Sequence, residues 1–238
     1  MTPHLREIAP RVRYGTAADV TVCATLYAQG FERGLRALFG RLPHTALLED
    51  ALIAYLAAEP QGFLIWAATD AGPADGYVLV TRSLTALIRR VVFSRAVPRA
   101  LGRLLRGDYG IGQPRVIARA LGEAARFARS SGKFRVAGDA QIVSIAVRDG
   151  LRGAGAGHAL MRAGLSYLEA VRVPEVRLEV QPDNEPAQRL YRRLGFVQRG
   201  EIPSPLGKAL VMTRALSATN SNTGEESDGG SDSESAGR

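Results

Sequence analysis

A turn rich in glycine and arginine carries the clearest chemistry in this sequence. It lies between an apolar strand pattern over 143–147 and a helical pattern, and it comprises Arg152, Gly153, Ala154, Gly155, Ala156 and Gly157. Because glycine has no side chain, backbone N–H groups in such a turn can approach a ligand closely. A helix N-terminus favours negative charge, and the arginine fork matches phosphate oxygens. The turn therefore predicts a phosphate or pyrophosphate site.

The spacing of the glycines excludes two common nucleotide sites. A dinucleotide fingerprint needs a third glycine where this chain has His158 or Leu160, depending on the starting glycine. No Gly-Lys-Ser or Gly-Lys-Thr follows, so the turn is not a P-loop either. A Gly-x-Ser-x-Gly elbow is also absent, which leaves hydrolase chemistry without support.

Two ionisable side chains follow the turn. Glu179 stands between Leu178 and Val180 in a strand pattern, and such apolar neighbours raise the pKa of a carboxyl group into a range suited to base catalysis. Tyr191 lies on the inward face of a helix that Asn184 caps and Gly195 ends. A core tyrosine is the alternative interpretation of Tyr191.

These motifs together resemble the GCN5-related N-acetyltransferase (GNAT) superfamily. The turn has the Arg-x-x-Gly-x-Gly pattern after an apolar strand, and Asn184 to Phe196 has the pattern Asn-x-x-Ala-x-x-Leu-Tyr-x-x-x-Gly-Phe. The resemblance is best over 141–200 and looser over 11–81. It implies an acetyl-CoA-dependent N-acyltransferase that transfers acetyl to a primary amine by direct attack in a ternary complex. The alternative is a non-catalytic acetyl-CoA-binding module or a basic docking module for an anionic surface.

The resemblance also implies roles for single residues. Arg152 and the turn through Gly157 would bind the pyrophosphate of acetyl-CoA, and Asn184 and Tyr191 would lie near the thioester. Backbone groups of the preceding strand would bind pantetheine and the acyl carbonyl, at Ile145, Ala146 and Val147. Glu179 and Tyr191 are spaced like the base and acid of the ribosomal-protein N-terminal acetyltransferases. For Glu179 the alternative interpretation is a polar residue that lines the site without acting as a base.

Arginine dominates the charge of the chain. Of 31 basic residues only Lys133 and Lys208 are lysine, and the formal net charge is +8. Eleven arginines lie between Arg82 and Arg129, mostly within a helical insertion over 84–131. The insertion indicates contact with an anionic acceptor or an anionic surface, and a solvated helical pair covering the sheet is the alternative. An arginine-biased composition also explains the charge.

We expect an α/β fold with a single mixed central β-sheet flanked by helices, the GNAT fold, and the insertion between the third and fourth strands. The acetyltransferase domain would span 1–216. Residues 217–238 lack large apolar side chains and carry five acids, which is typical of a disordered acidic tail. We expect a cytoplasmic monomer or homodimer with a small-molecule or peptide amine acceptor, no transmembrane segment, no metal and no specific nucleic acid. The one cysteine, Cys23, is interpreted as a buried apolar residue.

Overall fold

Seven strands in the described part of the chain form one mixed sheet in the order β1-β2-β3-β4-β5-β7-β6. This computed structural model describes residues 11–69, 72–111 and 139–216, and also 116, 118, 122, 134, 136 and 137. The predicted tail 217–238 and most of 112–131 lie outside the described residues. The strands are β1 Val12–Tyr14, β2 Phe63–Trp66, β3 Gly76–Thr81, β4 Ala140–Val147, β5 Glu175–Val180, β6 Val197–Ser204 and β7 Gly207–Ala215.

Seven α-helices of the described residues surround this sheet. They are α1 Val20–Gly30, α2 Glu32–Phe39, α3 Thr45–Ala58, α4 Leu84–Val92, α5 Ala96–Leu105, α6 Ala156–Ala170 and α7 Glu185–Arg193. The mixed sheet with flanking helices confirms the predicted fold class, and α4 and α5 follow β3 where the insertion was predicted. Helix α2 was not predicted. Within the described ranges, no helix combines the length and apolar content that crossing a bilayer requires.

The two central strands run side by side for only two residues. β4 and β5 are parallel, and their register pairs Ala140 with Val176 and Gln141 with Arg177. Beyond Gln141, β4 pairs with β3 on its other edge, and the end of β5 pairs with β7. The two strands therefore diverge, and a gap opens in the middle of the sheet. We call this divergence the fork.

A bulge lies on β4 just beyond the fork. Leu79 of β3 pairs with Ser144, whereas the next residue, Val80, pairs with Ile142, so Val143 is the extra residue. Bulges bend a strand and re-aim its side chains, and they are over-represented beside active sites. Here the bulge changes the direction of β4 where it leaves β5.

Each face of the sheet has its own apolar core. Helices α6 and α7 pack on one face, where side chains of alternate β5 residues, Val176, Leu178 and Val180, join the same cluster as Leu160 and Tyr191. Helices α1 and α3 pack on the other face. Because successive strand side chains point to opposite faces, Arg177 and Glu179 face the α1–α3 side. The sheet thus separates two sets of functional side chains.

Candidate active site

The glycines of the predicted anion turn adopt backbone conformations that other residues rarely reach. Gly153 and Gly155 both have φ of +86°, and a Cβ on either would meet no heavy atom within 4 Å. The local requirement is therefore conformational rather than steric. Gly157 differs, since its φ is not positive and a Cβ there would lie 3.5 Å from Leu190 Cδ2.

The turn presents unsatisfied backbone donors. Helix α6 begins at Ala156, so the N–H groups of Ala156, Gly157 and His158 have no acceptor within the helix. These groups and the helix dipole attract an anion. The geometry agrees with the predicted pyrophosphate site, although contact with a cofactor stays a prediction.

Arg152 has a partner that the sequence interpretation missed. Its Nη2 lies 2.6 Å from Oδ1 of Asp149, and both side chains are exposed. An exposed pair of this kind contributes about 0–1 kcal/mol. A phosphate can therefore draw the guanidinium away from Asp149 at little cost, although the carboxylate reduces the positive field of the turn.

The predicted backbone site on β4 borders the gap. Ile145, Ala146 and Val147 pair with β3 along one edge, and among the described residues β5 pairs with none of the three. Backbone N–H and C=O groups on the edge facing the gap are thus available to an extended ligand. This is the arrangement that pantetheine amides would need.

Tyr191 lies in the apolar core on the α6–α7 face of the sheet. Asn184 caps its helix by accepting a 3.3 Å hydrogen bond from the backbone N–H of Ala187, and Gly195 with φ of +81° follows the helix. The Tyr191 ring is buried and tilted against Phe196, with centroids 6.0 Å apart. Burial raises the pKa of Tyr191 to about 12, so its hydroxyl holds a proton near neutral pH. The capping bond accounts for Asn184 without a cofactor, and its contact near the thioester stays a prediction.

Glu179 sits on the opposite face within a group of three polar side chains. Burial raises the pKa of the Glu179 carboxyl, while the opposing charge and hydrogen bond of Arg177 and a hydrogen bond from Gln141 act to lower it. Nη2 of Arg177 donates to Oε1 of Glu179. The Arg177 side chain is 2% exposed and that of Glu179 is 18% exposed, so the carboxylate is the accessible member of the pair.

Gln141 and Arg177 are site residues that the sequence interpretation did not identify. They are register partners at the last pairing position of the fork. Gln141 is 6% exposed, and its Oε1 has no hydrogen-bond partner in the described structure. The signal for Arg177 was present, because Arg177 and Glu179 alternate with apolar residues and so share a face of the strand.

The two predicted catalytic residues therefore lie on opposite faces of the sheet. No hydrogen bond joins Glu179 and Tyr191 among the described contacts. A carbonyl carbon placed in the gap would have a base on one face of the sheet and an acid on the other. That arrangement suits displacement at an acyl carbon, in which one group arrives and another departs. In the described residues, no three His, Cys, Asp or Glu side chains cluster as metal ligands would.

Comparison with known proteins finds a family match and relatives for part of the chain. A family model described as Acetyltransferase (GNAT) family matches residues 99–196. A mycothiol acetyltransferase of Streptomyces avermitilis is 42% identical over 59 residues, which are 25% of this chain and 19% of that protein. An N-alpha-acetyltransferase of Sulfurisphaera tokodaii is 45% identical over 56 residues, 23% of this chain and 34% of that protein. The alignments thus span about a fifth to a third of these relatives' lengths.

Solved structures match over most of the chain. SsHAT superposes with a TM-score of 0.62 at 21% identity, covering 87% of this chain and 98% of that one. A GNAT superfamily phosphinothricin acetyltransferase from Sinorhizobium meliloti, in complex with AcCoA, gives a TM-score of 0.52 at 16% identity, covering 91% and 93%. At these identities the matches show the fold. Together with the family match over 99–196, they show that the chain has the GNAT fold and contains a segment that matches the GNAT acetyltransferase family.

Proposed function

We propose that this chain transfers the acetyl group of acetyl-CoA to a primary amine by direct attack in a ternary complex. The observation that carries the proposal is the gap between β4 and β5, with Glu179 and Tyr191 on opposite faces of the sheet that contains it. The glycine turn at the start of α6 would hold the pyrophosphate, and the free edge of β4 would hold pantetheine. The thioester would then lie in the gap.

The proposed reaction assigns one proton transfer to each residue. The amine nitrogen attacks the thioester carbonyl carbon, and Glu179 takes the proton that this nitrogen loses. The C–S bond breaks, and the departing thiolate takes the proton of Tyr191. The products are an amide and CoA, and both side chains recover their starting protonation through exchange with water. A raised carboxyl pKa brings a base closer to the pKa of an ammonium, which favours this transfer.

Arg177 and Gln141 act as positioning residues in this proposal. Arg177 is fixed beside Glu179 and directs one carboxylate oxygen, while Gln141 holds the carboxylate through a further hydrogen bond. The remaining carboxylate surface is left for the amine.

Thiol release from acetyl-CoA tests the proposed activity. The acceptor panel should include the acceptors of mycothiol acetyltransferases and of N-alpha-acetyltransferases, because relatives carry those names. Lysine peptides, amino sugars and polyamines complete it. We expect at least one amine to release CoA stoichiometrically with amide formation. If acetyl-CoA binds in calorimetry but every amine leaves it intact, the chain is a binding module and not a transferase.

Tyr191→Phe should slow turnover and leave acetyl-CoA binding nearly unchanged. The substitution removes only the hydroxyl, which has no partner in the described structure, so packing against Phe196 persists. Loss of a general acid costs about 10²–10⁴-fold. Steady-state kinetics with calorimetry separates kcat from affinity. If the variant turns over both acetyl-CoA and an aromatic thioester of low thiol pKa with the native kcat, Tyr191 serves only in the apolar core.

A further inference from the structure

The hairpin formed by α4 and α5 exposes an unusual amount of apolar surface. Of the ten large apolar residues that are exposed in the described chain, six lie in this hairpin: Ile88, Val92, Phe93, Val97, Leu101 and Leu105. Phe93 is 84% exposed and Leu105 is 80% exposed. Helix α5 has no fully buried residue. A helical pair that only covers the sheet would turn these side chains inward.

The apolar residues form an exposed side on each helix of the hairpin. Val97, Leu101 and Leu105 are spaced four residues apart, which places them along one side of α5. Ile88 and Val92 have the same spacing on α4, and Phe93 follows α4 directly. Together these residues are the apolar stripe of the hairpin, and not a scatter of single exposed residues.

A second stripe on the hairpin is cationic. Residues 84–107 contain six arginines and no acid. Arg90, Arg103 and Arg106 pair with Glu59, Asp50 and Asp108. Arg89, Arg95 and Arg99 form no ion pair within the described part of the chain, and all three are exposed. The hairpin thus combines an exposed apolar side with unneutralised positive charge.

A groove beside the hairpin combines an apolar lining with two arginines. It has a volume of about 450 Å³ and lies between α3 and the start of α5. Its floor is apolar, from Ile53, Ala54 and Ala57, and Arg95 and Arg99 line its side. The one carboxylate in it, Asp50, already binds Arg103 at 2.8 Å and the hydroxyl of Tyr109 at 2.6 Å.

We infer that the α4–α5 hairpin docks this protein on the surface of an anionic phospholipid bilayer. Amphipathic helices with arginine on the polar side and large apolar residues on the other lie in the membrane interface, and each arginine near an anionic surface adds to the attraction. The apolar stripe enters the acyl boundary, and Arg89, Arg95 and Arg99 contact headgroup phosphates.

Vesicle sedimentation of the full chain tests this assignment. We expect binding to vesicles of phosphatidylcholine with about 30% phosphatidylglycerol, an anionic probe composition, and little binding to pure phosphatidylcholine. Arg95→Gln with Arg99→Gln should lower the partition coefficient roughly 25-fold, since each arginine contributes about fivefold. Leu101→Ser with Leu105→Ser should lower it at least about tenfold, because two large apolar side chains no longer enter the interface.

Matched substitutions elsewhere provide the controls. Arg162→Gln removes an exposed arginine of α6, and Val197→Ser removes an exposed apolar residue of β6. Neither should change vesicle binding. If the controls reduce binding as much as the hairpin variants, the attraction comes from overall charge and the assignment to the hairpin is wrong. Thermal melts exclude unfolding of any variant as the cause.

A tryptophan at position 93 distinguishes insertion into a bilayer from coverage of this face by a second copy or by the chain itself. The only natural tryptophan, Trp66, is buried, so the change in emission on adding vesicles reports Phe93→Trp. We expect a blue shift on anionic vesicles and quenching by brominated acyl chains. A blue shift that depends on protein concentration without vesicles means that a second copy covers the face. An emission already blue-shifted in dilute protein means that the chain itself covers it. Either result, or binding to nucleic acid but not to vesicles, overturns the inference.

Discussion

Glu179→Gln is expected to lower kcat by about 10²–10⁴-fold, because the amide cannot take the proton of the attacking amine. The substitution keeps the shape of the side chain but leaves Arg177 buried beside a neutral group. Removing one partner of a buried pair destabilises a fold by about 3–5 kcal/mol. Activity must therefore be measured well below the melting temperature of the variant.

Two further variants separate the chemistry of Glu179 from its pairing. Arg177→Met combined with Glu179→Gln removes both charges and should recover stability while staying inactive. Glu175→Gln makes the same change on the same strand and should retain full activity. If the folded double variant turns over acetyl-CoA at the native rate, Glu179 is only a polar wall of the site.

The pH profile provides an independent check on Glu179. Burial raises the pKa of this carboxyl, and the basic form is the active one, so kcat/KM should rise with pH through that raised pKa. The pKa of Tyr191 is about 12, so loss of the acid should not lower the rate below about pH 10. Deprotonation of the acceptor amine adds its own ascending limb. The limb that disappears in Glu179→Gln is the one that belongs to Glu179.

Gly155→Ala is expected to raise the KM for acetyl-CoA at least about tenfold with a smaller effect on kcat. The φ of +86° at Gly155 is strained for alanine by about 1–2 kcal/mol, and the new methyl group would project into open space at the start of α6. That open space is where the pyrophosphate is proposed to lie. Calorimetry of acetyl-CoA binding measures the loss directly.

Gly40→Ala is the matched control for this variant. Gly40 has φ of +76°, and a Cβ added there would meet no heavy atom within 4 Å, so the strain is comparable and the position lies on a different helix end from the turn. It should lower the melting temperature by a similar amount and leave acetyl-CoA affinity unchanged. Equal affinities in the two variants would mean that the turn at 153–157 does not bind the cofactor.

The sequence predicted those parts of the site that local chemistry determines. The glycine turn, the capped helix of Tyr191 and helix α3 all carry short-range signals, and the structure has helices and strands at those places. Helix α2 has no polar cap, since Phe31 precedes it, and Gly34 weakens its pattern, so it escaped prediction. The fork was not predicted either, for a different reason. Where two parallel strands diverge depends on packing between distant segments, and no local residue pattern records it.

Two residues around Glu179 also could not be identified from the local sequence. Gln141 is the second residue of the mostly apolar strand β4, and only its register with Arg177 brings it to the carboxylate. Arg177 is almost fully buried, which is uncommon for arginine and cannot be read from its neighbours in sequence. The contact of Gln141 with the carboxylate depends on the pairing of β4 with β5, whereas Arg177 meets Glu179 from the same strand.

The two faces of the sheet carry different parts of the proposed site, so the two substrates would approach from different sides. The glycine turn and Tyr191 lie on the α6–α7 side, and Glu179 lies on the α1–α3 side, so donor and acceptor would use separate entrances. Neither substrate would then have to leave for the other to enter. Helix α4 packs against α3, which puts the hairpin on the acceptor side. A protein resting on lipid through that hairpin would draw acetyl-CoA from the surrounding water and meet its acceptor close to the membrane.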